Sequence, residues 1–132
     1  KAIVKYQDPS SGTWYQVTDQ GAREGNYLES SATALFIYTL AKAINKGYIG
    51  NEYIEPTQKA FDGMVKTFTR LEEDGSYTIT NCCAVAGLGG DSKRYRDGSF
   101  EYYISEPIIE NDPKSVGSFI LAAIEYEKMT KK

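Results

Sequence analysis

Hydrophobic and polar residues alternate in two different ways along this chain, and the difference sorts its helices into layers. Over residues 27–46 the apolar positions Ala32, Ala34, Leu35, Phe36, Ile37, Tyr38, Leu40, Ala41 and Ile44 surround most of a helix. A helix apolar over most of its circumference is buried on more than one side, so this is an inner helix. Ser30 or Ser31 is placed to cap its start, Lys42 and Lys46 complement the dipole at its end, and Gly47 suits the position just beyond. Over residues 51–68 the pattern changes. Tyr53, Thr57, Ala60, Phe61, Met64, Val65 and Phe68 recur at three- and four-residue spacing, while Glu55, Gln58, Lys59, Asp62 and Lys66 point elsewhere. That stripe predicts an outer helix with one wet face, capped by Asn51 and carrying Pro56 in its first turn. Residues 115–126 return to the first pattern, with Val116, Phe119, Ile120, Ala122, Ala123 and Ile124 predicted to be buried in a second inner helix.

The remaining segments are shorter. Residues 2–6 (AIVKY) run straight into the turn signal Gln7-Asp8-Pro9-Ser10-Ser11-Gly12 and read as the tail of an element that continues upstream. Residues 13–17 (TWYQV), 77–80 (YTIT) and 100–104 (FEYYI) are rich in β-formers and flanked by turn residues at 19–21, 72–76 and 94–98, so they predict short strands. The small, glycine-rich residues 84–90 (AVAGLGG) predict a close passage of backbone against a neighbour, and residues 106–112 predict an irregular loop. Inner, outer, inner: this order describes an all-α fold, an α/α toroid of helical hairpins with short β-hairpins in its loops. Two inner helices and one outer helix close no ring, so residues 1–132 read as a segment of a single domain.

Composition narrows the chemistry. The chain has 41% hydrophobic and 25% charged residues, ordinary for a folded globular domain, and its net charge of -3 argues against a nucleic-acid or anionic-membrane partner. No apolar run approaches the roughly 20 residues that span a bilayer, and the first residues lack a signal-peptide hydrophobic region. Histidine is absent altogether, which removes Ser-His-Asp and Cys-His catalysis and His-ligated zinc. The two cysteines are neighbours, Cys82 and Cys83, a poor geometry for a mutual disulfide and too few thiolates for a structural zinc site. They read as buried small hydrophobes. The enrichment is aromatic, with 11 Tyr, 5 Phe and 1 Trp, which suits either a carbohydrate cleft or packing between helical layers.

AVAGLGG lacks the Lys-Ser/Thr of a phosphate loop and no βαβ unit surrounds it. Carboxylates cluster at Glu72, Glu73 and Asp74, in a turn, and at Glu106, Glu110 and Asp112, ahead of the second inner helix. The first cluster reads as solvated. For the second, a role at the pocket competes with capping of the helix by Asp112, and its spacing matches no calcium hand. Trp14 with Tyr15 and Gln16 offers a ring to stack on a sugar and an amide to bond its hydroxyls; a core plug between helical hairpins is the equal alternative.

Four blocks taken in order, GTWYQVTDQ (residues 12–20), NYLESSATALFIYTLAKAINKGYI (26–49), CAVAGLGG (83–90) and YYISEPIIENDPKSVGSFILAAIEYE (102–127), resemble the C-terminal third of the unsaturated uronyl hydrolases of glycoside hydrolase families 88 and 105, most closely the unsaturated rhamnogalacturonyl hydrolases. The resemblance implies an (α/α)6 barrel, a bacterial enzyme of polysaccharide degradation, and an oligosaccharide substrate ending in a C4=C5 unsaturated uronic acid, such as a lyase releases from pectin, rhamnogalacturonan or a glycosaminoglycan. In that mechanism an aspartate protonates the vinyl ether and activates water, and the resulting hemiketal rearranges with loss of the glycosidic bond; no cofactor or metal is required. The family's catalytic aspartates, its active-site histidine and its Trp-Ala-Arg-Gly-Asn segment belong upstream of the first block, so no residue here takes the general-acid role. The segment alone is expected to be inactive. Its expected substrate-binding residues are Trp14, Tyr15, Gln16 and Glu29. The alternative reading is a non-catalytic helical module that binds carbohydrate or protein, and exposed inner-helix faces would favour self-association. The compartment stays open between bacterial cytoplasm and periplasm.

Overall fold

The computed structural model describes residues 2–91 and 95–131; Arg94, at the head of the turn expected over 94–98, lies outside them. Its elements are α1 (Ala2–Lys5), α2 (Ser30–Asn45), a 3-10 turn (Asn51–Tyr53), α3 (Ile54–Phe68), β1 (Thr69–Leu71), β2 (Tyr77–Ile79), β3 (Cys82–Cys83), α4 (Phe100–Ser105), β4 (Ile108–Ile109) and α5 (Pro113–Thr130). The chain is helix-rich, with two short antiparallel strand pairs: β1 with β2, and β3 with β4 in the register Cys82 to Ile109 and Cys83 to Ile108.

α2 and α5 lie side by side and run parallel. At one end the Ser30 N–H donates to the Asn81 carbonyl (3.0 Å) and the Asn111 N–H to the Ile79 carbonyl (2.8 Å), so both helices start against the β2–β3 segment. At the other end the Asn45 amide donates to the Glu125 carbonyl (2.9 Å). Small residues line both buried stripes, Ser30, Thr33, Ala34 and Ala41 on α2 and Ser115, Ser118 and Ala122 on α5, which lets the two backbones approach closely. α3 packs outside this pair in the opposite sense, its last carbonyl, Phe68, accepting from the Thr80 N–H (2.8 Å). Ile37, Leu40, Met64 and Phe68 meet in the core between the layers, where each large side chain stabilises the fold by about 1.5–3 kcal/mol.

Several local expectations change. The cap of α2 is Glu29, whose carboxylate accepts the Ala32 N–H at 2.7 Å, rather than Ser30 or Ser31. Asn51 does not cap α3: a 3-10 turn intervenes and Tyr53 at the N-cap makes no side-chain bond. Residues 13–17 form no strand beyond an isolated bridge between Tyr15 and Leu28. The Asn26 side chain occupies both the N–H (3.2 Å) and the carbonyl (2.9 Å) of Val17, so the ladder cannot extend. Residues 100–104, expected as a strand, are helix α4, because Ser99 accepts the Tyr102 N–H (3.1 Å) and caps it. The loop expected over 106–112 contains β4. The burial expected for α5 is only partly present. Ala122 is fully buried, Val116, Phe119 and Ala123 are half-buried, and Ile120 and Ile124 stay 56% and 45% exposed, as does Leu35 of α2 at 47%.

Candidate functional site

The four sequence candidates fall on two neighbouring extended segments that lead into the N-terminus of α2. The Gln16 N–H donates to the Tyr27 carbonyl (2.8 Å) and the Glu29 N–H to the Trp14 carbonyl (2.9 Å), which ties residues 14–16 to residues 27–29. Trp14 has no exposed surface. Its indole N–H donates to the Ile3 carbonyl (2.8 Å), its backbone N–H to Thr33 Oγ1 (3.1 Å), and its ring meets Phe36 edge-on at 5.3 Å. Tyr15 is half-buried, and its ring covers Gly21, where a Cβ would lie 2.8 Å from it. With Tyr6, Asp8, Thr18 and Asp19 it lines an open cavity of about 340 Å³. Gln16 is also half-buried.

Glu29 is 1% exposed and its carboxylate is fully engaged: besides the Ala32 N–H it accepts Ser31 Oγ (2.9 Å) and the Cys83 N–H (3.0 Å). It thereby fixes β3 to the start of α2. Lys114, in the first turn of α5, does the corresponding work from the other helix. Its ammonium donates to the Ala84 carbonyl (3.0 Å) and to Asp112 (2.6 Å), and Asp112 caps α5 through the Lys114 N–H (2.8 Å). Lys114 holds the Asp112 carboxyl below its usual range. The loop that begins at Ala84 is therefore gripped by the N-terminal ends of both inner helices, where two partial positive charges converge.

The carboxylates ahead of α5 have separate partners. Glu110 pairs with Arg70 through two contacts (2.7 and 2.9 Å), which hold its carboxyl below the usual range. Glu106 is 2% exposed and lies 3.7 Å from Arg96 Nε. Tyr102 joins this pair: its hydroxyl accepts the Gly87 N–H (3.1 Å), and burial followed by the Glu106 carboxylate raises its pKa. The cysteines are both buried and unbridged, and burial pushes the Cys82 thiol up. Burial, reinforced by Cys83, also raises the Tyr27 phenol. Among the described residues no cluster of ligating side chains could hold a metal ion, and no helix is long and apolar enough to cross a membrane.

Of the Arg96–Tyr102–Glu106 group, the sequence singled out Glu106 alone, as one of the carboxylates ahead of α5. The group's signal, a charged residue ahead of Pro107 and the Arg-Asp-Gly of a turn, carries meaning only once α4 is known to fold the two together.

The sequence model described as Glycosyl Hydrolase Family 88 matches residues 1–130. A family 105 glycoside hydrolase of Clostridium acetobutylicum superposes with a TM-score of 0.91 at 46% identity, covering 96% of this chain and 34% of that one. A structure from Salmonella enterica described as a possible family 105 member superposes with a TM-score of 0.75 at 27% identity, covering 98% of this chain and 29% of that one. A 24.9 kDa protein in the picA locus of Rhizobium radiobacter is 37% identical over 119 residues, which are 87% of this chain and 51% of the relative. The chain thus spans about half the length of that curated relative and about a third of the hydrolase structures.

Proposed function

The chain belongs to glycosyl hydrolase family 88, and from that premise we propose that it forms the C-terminal part of an (α/α)6-barrel hydrolase. Its substrate is an oligosaccharide that ends in an unsaturated uronic acid, of the kind a lyase releases from rhamnogalacturonan. The observation that carries this reading is the superposition, at 46% identity over 96% of the chain, on a family 105 hydrolase almost three times as long. The layer order agrees: α2 and α5 expose Leu35, Ile120, Leu121 and Ile124, apolar surface that a closed ring of helices would cover.

In this reading the segment supplies barrel wall and mouth. Trp14 and Glu29 act by position, the first as the plug that sets residues 14–16, the second as the strut that sets β3 and the loop beyond it. Tyr15 and Gln16 keep surface through which to touch a sugar. The proton donor to the vinyl ether is an aspartate contributed from outside these residues. Proton addition at C4 and water addition at C5 give a hemiketal; its opening leaves a ketone at C5 and a hemiacetal at C1, and collapse of that hemiacetal to the aldehyde releases the neighbouring sugar.

Reaction in D2O tests that chemistry. Hydration of the double bond places deuterium on C4 of the uronate product, detectable by mass and NMR. Cleavage that leaves C4 without deuterium would mean direct attack at the glycosidic carbon and would overturn the proposal.

A further inference from the structure

We propose that Arg23 is a positioning residue for Tyr15, clamping the turn beneath that ring to α4. The assignment rests on the hydrolase reading above, in which Tyr15 touches the sugar. The chain of contacts starts at the ring. Tyr15 lies on Gly21, where a Cβ would stand 2.8 Å from its Cδ2, so the place of the turn at Gly21 sets where the ring sits. The backbone beside Gly21 is shaped from within the loop. The Gln20 carbonyl accepts the Arg23 N–H (3.0 Å) and the Asn26 side-chain amide (2.8 Å), and Asn26 also holds both backbone groups of Val17.

These bonds shape the turn, and Arg23 anchors it. One Nη donates to Gln20 Oε1 (2.9 Å), the other donates to the Glu101 carboxylate, and the guanidinium carbon lies over the Phe100 ring, 3.8 Å from its centroid. Phe100 and Glu101 are the first two residues of α4. Gly25, further along the loop, closes on the same helix, since a Cβ there would stand 2.8 Å from Ile104 Cδ1. α4 is a firm support: Ser99 caps it, and its Tyr102 hydroxyl accepts the Gly87 N–H (3.1 Å).

The ion pair alone would hold little, because the Arg23 and Glu101 side chains both face solvent. The buried Phe100 ring supplies the rest. A guanidinium over its face is attracted to the ring and keeps its Nη edge free for Gln20 and Glu101. A lysine ammonium is a point charge and lacks the planar fork that serves all three partners at once. Arg23 therefore acts through the residues it holds, joining α4 to the turn on which the Tyr15 ring rests.

Steady-state kinetics of the longer polypeptide carrying this segment test the assignment, with an unsaturated galacturonosyl-rhamnose disaccharide as substrate and its double-bond absorbance as readout. Arg23→Gln is expected to raise KM about five-fold at unchanged kcat, and to move Tm by no more than about 2 °C. Arg23→Lys should recover part of that loss. Tyr15→Ala should raise KM by itself, and adding Arg23→Gln to it should change nothing further, since the ring that Arg23 positions is gone. Gly21→Ala, which pushes the ring from below and leaves the clamp intact, should reproduce the rise in KM. An unchanged KM in Arg23→Gln, a fall in kcat instead, or the same rise in both backgrounds overturns the assignment. So does a Gly21→Ala protein with the wild-type KM. Tyr15→Ala with an unchanged KM removes this inference and leaves the hydrolase reading standing; a wild-type protein that never consumes the disaccharide removes both.

Discussion

At the scale of single residues, the same side-chain types serve opposite ends here, and burial decides which. Trp14 was equally readable as a sugar platform and as a core plug. Its complete burial and its bond to Ile3 make it a structural member of this chain. Trp14→Ala should cost about 3–5 kcal/mol in denaturant unfolding; a loss below about 1 kcal/mol would show that the site is not packed as described. Glu110 makes the opposite case, an exposed carboxylate whose pKa is lowered by Arg70. A group with a depressed folded-state pKa stabilises fully above its unfolded value, near 4, and loses that contribution as pH falls through the folded value. The Tm difference between wild type and Glu110→Gln should therefore be largest near neutrality and shrink below about pH 4. A difference that grows on acidification would refute the pairing.

Elements were legible where a long period is its own evidence and obscure where capping decides. The three long helices follow from their apolar spacing within a few residues at each end. α4 did not, since Phe100, Tyr102 and Ile104 alternate like a strand, and only the Ser99 cap reveals the helix. The β3–β4 pair brings together residues more than twenty apart with no turn between them to announce it. The Arg96–Glu106 contact was hidden for the same reason. Close approach, by contrast, can be tested directly. Gly63 of α3 faces the loop after α1 so tightly that a Cβ would stand 1.8 Å from the Ser11 carbonyl oxygen. Gly63→Ala is a favourable change for an isolated helix, yet here it should destabilise by about 1–3 kcal/mol, read from the denaturation midpoint. A stabilised variant would show that the loop docks elsewhere.

For the whole molecule, the pattern of inner and outer helices was readable because a helix apolar all round must be covered on all sides. What covers it was not readable from periodicity, and the chain by itself leaves part of α5 bare. In the barrel proposed for this family member, neighbouring helices would cover those bare faces. In the proposed hydrolase this chain would be wall and mouth, with the proton donor outside it. The most direct test follows the absorbance of the conjugated double bond in an unsaturated galacturonosyl-rhamnose disaccharide, with the 132-residue chain and with the longer polypeptide side by side. The longer polypeptide should consume the chromophore while the 132-residue chain leaves it unchanged. Turnover by the short chain, or a longer chain that leaves the double bond intact, would contradict the account.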